Sequence, residues 1–186
     1  MDTTKASKFL SLILRHDPAA AGITLDPQGW ADIEALLNGM SKKGYAISHN
    51  DLFTIVEDDK KGRYSISDNH RRIRANQGHS IKVDLGLIEK KPPSILYHGT
   101  ATRFYDAILK SGGVSKMERH HVHLSTNYNT AKTVGSRHGS PLVFSIRAGD
   151  MVKEGHKFYE SENGVWLTDF VPMKFCYVVG DGILEQ

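Results

Sequence analysis

The sequence predicts an α+β protein in two lobes, a helical one followed by one built on antiparallel strands. Three observations carry this prediction. The first half places three amphipathic segments ahead of two short basic strands. The second half interleaves short apolar runs with scattered helical stretches, the pattern of an antiparallel sheet with segregated helices rather than of a doubly wound fold. Between them, Asp84 to Pro93 is a charged connector that ends in Lys90-Lys91-Pro92-Pro93. The lobes are accordingly bounded as residues 1–90 and 91–186.

In the first lobe, residues 4–15 read as a helix. Phe9, Leu10, Leu12, Ile13 and Leu14 supply a broad apolar stripe, with Thr3 or Thr4 as the cap. Pro18 takes the chain out of helix just after Arg15-His16. Both cations then sit at a helix C-terminus, where the dipole already gives them a structural reason to be. Pro27-Gln28-Gly29 is a turn, followed by a helix from Ala31 to Gly39 with Ile33, Leu36 and Leu37 inward. Ser48 or Asn50 caps a third helix, Asp51 to Asp58, whose inner face is Leu52, Ile55 and Val56. Strands Arg63 to Ser67 and Arg71 to Ala75 flank the turn Asp68-Asn69-His70. Three helices and a hairpin are the order of a winged helix, an architecture that contacts nucleic acid in some proteins and protein in others.

In the second lobe, Ile95-Leu96-Tyr97 is a strand that ends at His98-Gly99-Thr100. Helix follows from Arg103 to Ser111 and stops at Gly112-Gly113. Arg119 to Ser125 reads as a strand, with Arg119, His121, His123 and Ser125 on one face. Thr126 or Asn127 begins a helix through Ala131 to Val134. Pro141 to Ile146, Val165 to Thr168 and Phe175 to Val179 are further strands, and Asn163-Gly164 is a hairpin turn.

Charge and composition narrow the function. The formal charge is only +3 over 186 residues, so the total does not identify a partner and the distribution says more. Lys60, Lys61, Arg63, Arg71, Arg72 and Arg74 nevertheless crowd one interval, opposed by Asp58, Asp59 and Asp68. A basic patch on a nearly neutral chain points to one anionic ligand. Arg72 to Ser80, a basic strand running into a glycine-containing turn, offers guanidinium forks, a side-chain amide, an imidazole and backbone N–H groups, donors suited to a phosphate dianion. The same stretch equally suits a surface hairpin with solvated arginines. The single cysteine, Cys176, excludes an internal disulfide and a cysteine-rich zinc site. Without a spanning apolar run or a signal-peptide core, a cytoplasmic chain with no membrane contact is expected. Its compactness points to a monomer.

The remaining constellations are weak one by one. His120, His121 and His123 suit a metal only if further ligands converge, and no second motif supplies them. His98-Gly99-Thr100 offers an imidazole, a hydroxyl and, at Gly99, a main chain that a ligand can approach, or it is a plain turn. Val134 to Gly139 either cradles a pyrophosphate or adenosine or links a helix to a strand. No Gly-x-Gly-x-x-Gly follows a strand and no nucleophile elbow is present, so a Rossmann site and a Ser-His-Asp hydrolase are unsupported.

Taken in order, the motifs resemble the RNA 2′-phosphotransferase family over nearly the whole chain. The likeness rests on Leu10-Ser11-x-x-Leu14-Arg15-His16-x-Pro18, Asp26-x-x-Gly29-Trp30, Arg63-Tyr64 and Ile73-Arg74-Ala75-x-Gln77-Gly78-His79-Ser80. It continues with Tyr97-His98-Gly99-Thr100, Arg119-x-His121-Val122-His123-Leu124-Ser125, Val134-Gly135-x-Arg137-His138-Gly139 and Asn163 to Thr168. The resemblance implies a winged-helix RNA lobe followed by an ADP-ribosyltransferase-like lobe. It implies NAD⁺ as co-substrate, no metal, and a 2′-phosphorylated RNA of tRNA splice-junction type. The implied catalytic group is Arg15, His16, Arg74 and Arg119. The implied NAD⁺ contacts are His98, Gly99, Thr100, Ser125, His123 and Arg137, and Arg63, Gln77 and His79 are expected to reach the RNA phosphate. Two other readings compete. One is a transferase that stops after ADP-ribosylating a terminal nucleic-acid phosphate or a protein. The other is an RNA-binding module without activity, against which the intact second-half motifs argue.

Overall fold

The structure is a computed structural model and describes residues 3–180. The chain divides into two compact units, Met1–Gly86 and Leu87–Gln186. Both mix helices with antiparallel sheet.

The first unit contains α1 (Thr3–Arg15), a 3-10 turn (Pro18–Ala21), β1 (Ala31–Asp32), α2 (Ile33–Lys42), α3 (His49–Glu57), β2 (Tyr64–Ile66) and β3 (Arg72–Ala75). Leu10, Ile13 and Leu14 of α1 pack with Ile33, Leu36, Met40, Leu52 and Ile73 in one core. The expected stripe is narrower at one edge. Leu12 is 40% exposed, and Phe9 instead stacks on Tyr45 with ring centroids 4.3 Å apart. The capping position of α1 lies outside the described residues. Beyond α1, Asp17 accepts from the Ala20 N–H and starts the 3-10 turn at Pro18.

Two expected boundaries move. Ala31 and Asp32 are extended, not helical, because they pair with Ile73 and Arg72 as the outer strand of a β1-β3-β2 sheet. Asp32 then caps α2 by accepting from the Ala35 N–H. Of the two candidate caps for α3, Ser48 is the one used, in a reciprocal box with Asp51.

The second unit contains β4 (Leu96–Ala101), α4 (Tyr105–Lys110), β5 (Gly113–Ser115), β6 (Val122–Leu124), α5 (Tyr128–Gly135), β7 (Pro141–Ile146), α6 (Ala148–Lys153), β8 (Tyr159–Glu160), β9 (Trp166–Thr168), β10 (Phe170–Pro172) and β11 (Cys176–Val179). The strands form antiparallel sheets β11-β7-β4, β6-β9-β8 and β10-β5. Glu89 and Lys90, within the expected connector, already pair with Tyr159 and Phe158 of this unit. The strand expected from Arg119 shortens to Val122–Leu124. The Arg119 N–H bonds back to the Lys116 carbonyl, closing a turn in which Met117 takes a left-handed φ of 53°. β5, β8, β10 and α6, each of two to six residues, escaped the sequence reading because they are too short to show a period.

One close contact positions the second unit's motifs. Gly99 on β4 lies directly beneath α5, where an added Cβ would sit 1.7 Å from the Ala131 carbonyl oxygen. From the helix side, a Cβ on Gly135 would sit 2.4 Å from the Thr100 carbonyl oxygen. The main chain that Gly99 admits on its Cβ side is therefore that of α5. Gly99→Ala is expected to lower unfolding free energy by about 3 kcal/mol, the upper range for overpacking, as measured by urea denaturation.

Candidate functional site

In the first unit the end of α1 meets the loop after β3. The Ser80 N–H donates to the Arg15 carbonyl at 2.9 Å, and His16 Nδ1 and Ser80 Oγ are hydrogen-bonded at 2.9 Å. Gly78, at φ 87°, passes beside the Arg15 side chain, where an added Cβ would lie 3.7 Å from Arg15 Cζ. The Arg15 guanidinium carbon lies 6.0 Å from the centre of the Tyr64 ring. Two motifs separated by 64 positions thus share one place.

The same loop sorts the expected donors. Asn76 is buried and its amide is used internally, donating to the Gly62 carbonyl and accepting from Ser65 Oγ, both at 2.7 Å. Gln77 is half-buried and makes no side-chain hydrogen bond to the described residues. His79 is only 2% exposed, with Nε2 3.5 Å from where a Gly29 Cβ would sit. His79, expected to reach the RNA phosphate, thus lies against the Pro27–Gly29 turn. Arg63 is held by Asp59, Nη1 to Oδ1 at 3.1 Å. Arg74 lies over the Trp30 ring, 4.6 Å from its centre. Trp30 and Tyr64 are the site neighbours that sequence reasoning left without a role. Each stood inside a quoted motif, beside Gly29 and Arg63, and that placement was the available signal.

In the second unit, reciprocal hydrogen bonds between Tyr97 and Ser125 (2.8 and 2.9 Å) join β4 to the end of β6. This places His98 against His123. His98 Nδ1 donates to the His123 carbonyl at 3.0 Å, since a carbonyl only accepts. Burial pushes the His98 imidazole below its ordinary pKa and the Arg119 charge adds to that, against the bond to His123. His98 is therefore neutral at neutral pH, with Nε2 as an acceptor. Arg119 Nη1 donates to His123 Nδ1 at 2.9 Å, so His123 carries its proton on Nε2. Of the residues expected on one strand face, Arg119 reaches His123 from a turn outside the strand. Ser125 Oγ accepts from the Asn127 N–H, and Asn127 in turn caps α5.

Thr100 is buried on β4, and Arg137 lies exposed in the 3-10 turn Ser136–His138 after α5. Burial and the charge of Arg137 both depress the Arg119 pKa, which leaves it protonated. Among the described residues neither Arg119 nor Arg137 pairs with a carboxylate. Two arginines that feel each other without a counter-charge form a setting for an anion. His121 faces Tyr159 instead, its ring centroid 5.6 Å away. Among the described residues no three His, Cys, Asp or Glu side chains converge to hold a metal ion, and no helix is long and apolar enough to cross a membrane.

Residues 1–170 match the model of the family described as "RNA 2'-phosphotransferase, Tpt1 / KptA family". Curated relatives carry the name "Probable RNA 2'-phosphotransferase". One from Hahella chejuensis is 53% identical over 91% of this chain and 90% of its own length. One from Agrobacterium fabrum is 47% identical over 99% of this chain and 98% of its own. One from Escherichia coli O9:H4 is 49% identical over 91% and 92%.

Two outcomes follow from this geometry. The Tyr64 hydroxyl is 5% exposed as a residue and finds no hydrogen-bond partner among the described residues. Tyr64→Phe is therefore expected to leave stability unchanged or raise it by up to about 1 kcal/mol in chemical denaturation. His98, depressed in the folded chain below its ordinary 6.5, is protonated more readily when unfolded. Its contribution is present above that value and lost as pH falls below it, so the melting temperature should drop between about pH 7 and about pH 5. His98→Asn keeps an N–H for the His123 carbonyl and should flatten that drop; the slope that remains includes His121, which burial also depresses.

Proposed function

The chain belongs to the RNA 2′-phosphotransferase family, and we propose that it removes an internal 2′-phosphate from RNA by passing it to NAD⁺. The first unit is proposed as a winged-helix RNA lobe, and its helix, strand, helix, helix and hairpin order supports that reading. The second is proposed as an ADP-ribosyltransferase-like lobe for NAD⁺. The observation that carries the proposal is the junction of Arg15 and His16 with Gly78 and Ser80. It gathers two of the family's motifs into one cationic, imidazole-bearing place.

The reaction balances in two steps. A phosphate oxygen of the RNA bonds to the anomeric carbon of the nicotinamide riboside, and nicotinamide leaves with the electron pair of its glycosidic bond. The neighbouring 2″-hydroxyl then bonds to phosphorus, losing its proton, and the RNA 2′-oxygen leaves and takes up a proton. RNA with a free 2′-hydroxyl and ADP-ribose 1″,2″-cyclic phosphate result.

Each residue's chemistry fits a part of this. Arg15 and Arg74 hold the incoming dianion through their forks, with Gln77 as a further donor and Arg63 reaching the RNA phosphate from its Asp59 anchor. His16 moves the proton in the second step, and Arg119 offsets charge that builds on the phosphoryl oxygens. His98 accepts a ribose hydroxyl at Nε2, while Thr100, His123 and Ser125 line the co-substrate's place and Arg137 answers its pyrophosphate. Gly99 serves by letting α5 close on β4. A tRNA splice junction is the proposed source of the RNA. A monomer in a reducing, cytoplasmic setting is the proposed context, which suits a buried Cys176 thiol pushed up to about 11 and so kept unreactive.

The test is incubation with a short RNA bearing one internal 2′-phosphate, with and without NAD⁺, and separation of the products. NAD⁺-dependent appearance of 2′-hydroxyl RNA and the cyclic phosphate is expected. Persistent ADP-ribosylated RNA from the unaltered protein would replace the proposal with a one-step transferase. No reaction would leave an RNA-binding module. His16→Ala should slow the second step about 100-fold or more, so that ADP-ribosylated RNA accumulates while nicotinamide is still released.

A further inference from the structure

We propose that Trp30 is a positioning residue for Arg74, and that Asp26 is the clamp that holds Trp30 where it can orient that arginine. The inference rests on the reading of the first unit as the holder of the RNA phosphate. It begins with register. β1 and β3 pair Ala31 with Ile73 and Asp32 with Arg72, so the antiparallel run brings Trp30 opposite Arg74. Strand alternation puts Arg72 and Arg74 on the face away from buried Ile73 and Ala75. Both guanidinium groups lie over the same indole, Arg74 at 4.6 Å and Arg72 at 5.4 Å from its centre. An indole is the strongest aromatic partner for a guanidinium, and it offers a flat face that fixes the plane of the fork. Plane matters here, because a bidentate grip on phosphate depends on where the fork points as well as on its charge.

Asp26 ties this arrangement together with one carboxylate. Its Oδ1 accepts from the backbone N–H of Gln28 at 3.0 Å and of Trp30 at 2.9 Å, closing the turn that carries the indole. Its backbone N–H donates to the Trp30 carbonyl at 2.9 Å, closing the turn a second time. Its Oδ2 accepts from Arg72 Nη1 at 3.2 Å. The carboxylate thus offsets the charge of the arginine beside Arg74, and two cations can share one ring. The Asp26-x-x-Gly29-Trp30 motif thereby orients a cation without itself touching the phosphate.

The test measures binding alone, without NAD⁺, by fluorescence anisotropy. It compares one RNA oligonucleotide carrying an internal 2′-phosphate with the same oligonucleotide carrying a 2′-hydroxyl. The ratio of the two dissociation constants reports the phosphate grip. The unaltered protein should prefer the phosphorylated RNA. Trp30→Leu should cut that preference about tenfold, and Trp30→Phe, which keeps a π face, should restore most of it. Adding Trp30→Leu to Arg74→Ala should cost nothing further, since a positioning residue acts only through its partner. If Trp30→Leu melts below the assay temperature, Trp30→Met, unbranched and also without a π face, takes its place. A preference unchanged by loss of the ring overturns the inference, as does an equal loss of affinity for both RNAs. An unaltered protein with no preference at all would instead overturn the reading of this unit as the phosphate holder, and the two failures are thereby told apart.

Discussion

The pairing of the Ser80 N–H with the Arg15 carbonyl, together with the His16–Ser80 bond, is the constraint on which the first unit's chemistry depends. A helix C-terminus carries carbonyls that lack partners in their own helix. Here the loop after β3 supplies a donor to one of them. The loop is in turn anchored by buried Asn76 on one side and enclosed His79 on the other. Gly78 takes the left-handed backbone that lets the chain turn against the Arg15 side chain. A cation at a helix end, which the dipole alone would explain, thereby becomes part of a built surface.

Both units manage positive charge, and they do so by opposite means. In the first unit carboxylates stand behind the arginines: Asp59 holds Arg63 and Asp26 holds Arg72. The Asp26–Arg72 pair is partly exposed and adds little stability, whereas the Asp59 carboxylate is largely buried. Their effect is to fix side chains that would otherwise sample many rotamers. In the second unit Arg119 has an imidazole as its partner and another arginine as its neighbour, with no carboxylate pair among the described residues. The same arrangement fixes proton positions, since His98 donates from Nδ1 and His123 accepts at Nδ1. Charge without a counter-ion and imidazoles in defined tautomers are what the proposed co-substrate, anionic and hydroxyl-rich, would meet.

Packing serves chemistry through glycine in the second unit. The contact of Gly99 and Gly135 seats α5 on β4 at a distance no side chain permits. That seating carries the His98–Thr100 segment and the turn bearing Arg137 on adjoining elements. A glycine that reads as an opening for a ligand can therefore be an opening for a helix. Sequence spacing does not separate the two, because both need the absence of a Cβ.

What the sequence determined by itself was the α+β class, the three helices of the first half, the longer strands and the order of the motifs. These depend on periodicity and on local capping, as at Ser48 and Asn127, and both are written within a few residues. The tertiary structure alone decided the rest. It made Ala31 and Asp32 a strand by giving them β3 as a partner, and it buried the side chains of His79 and Asn76. It also brought Trp30 over Arg74 and Tyr64 under Arg15. Those outcomes turn on contacts between residues far apart along the chain, whose energies appear only once the segments pack together.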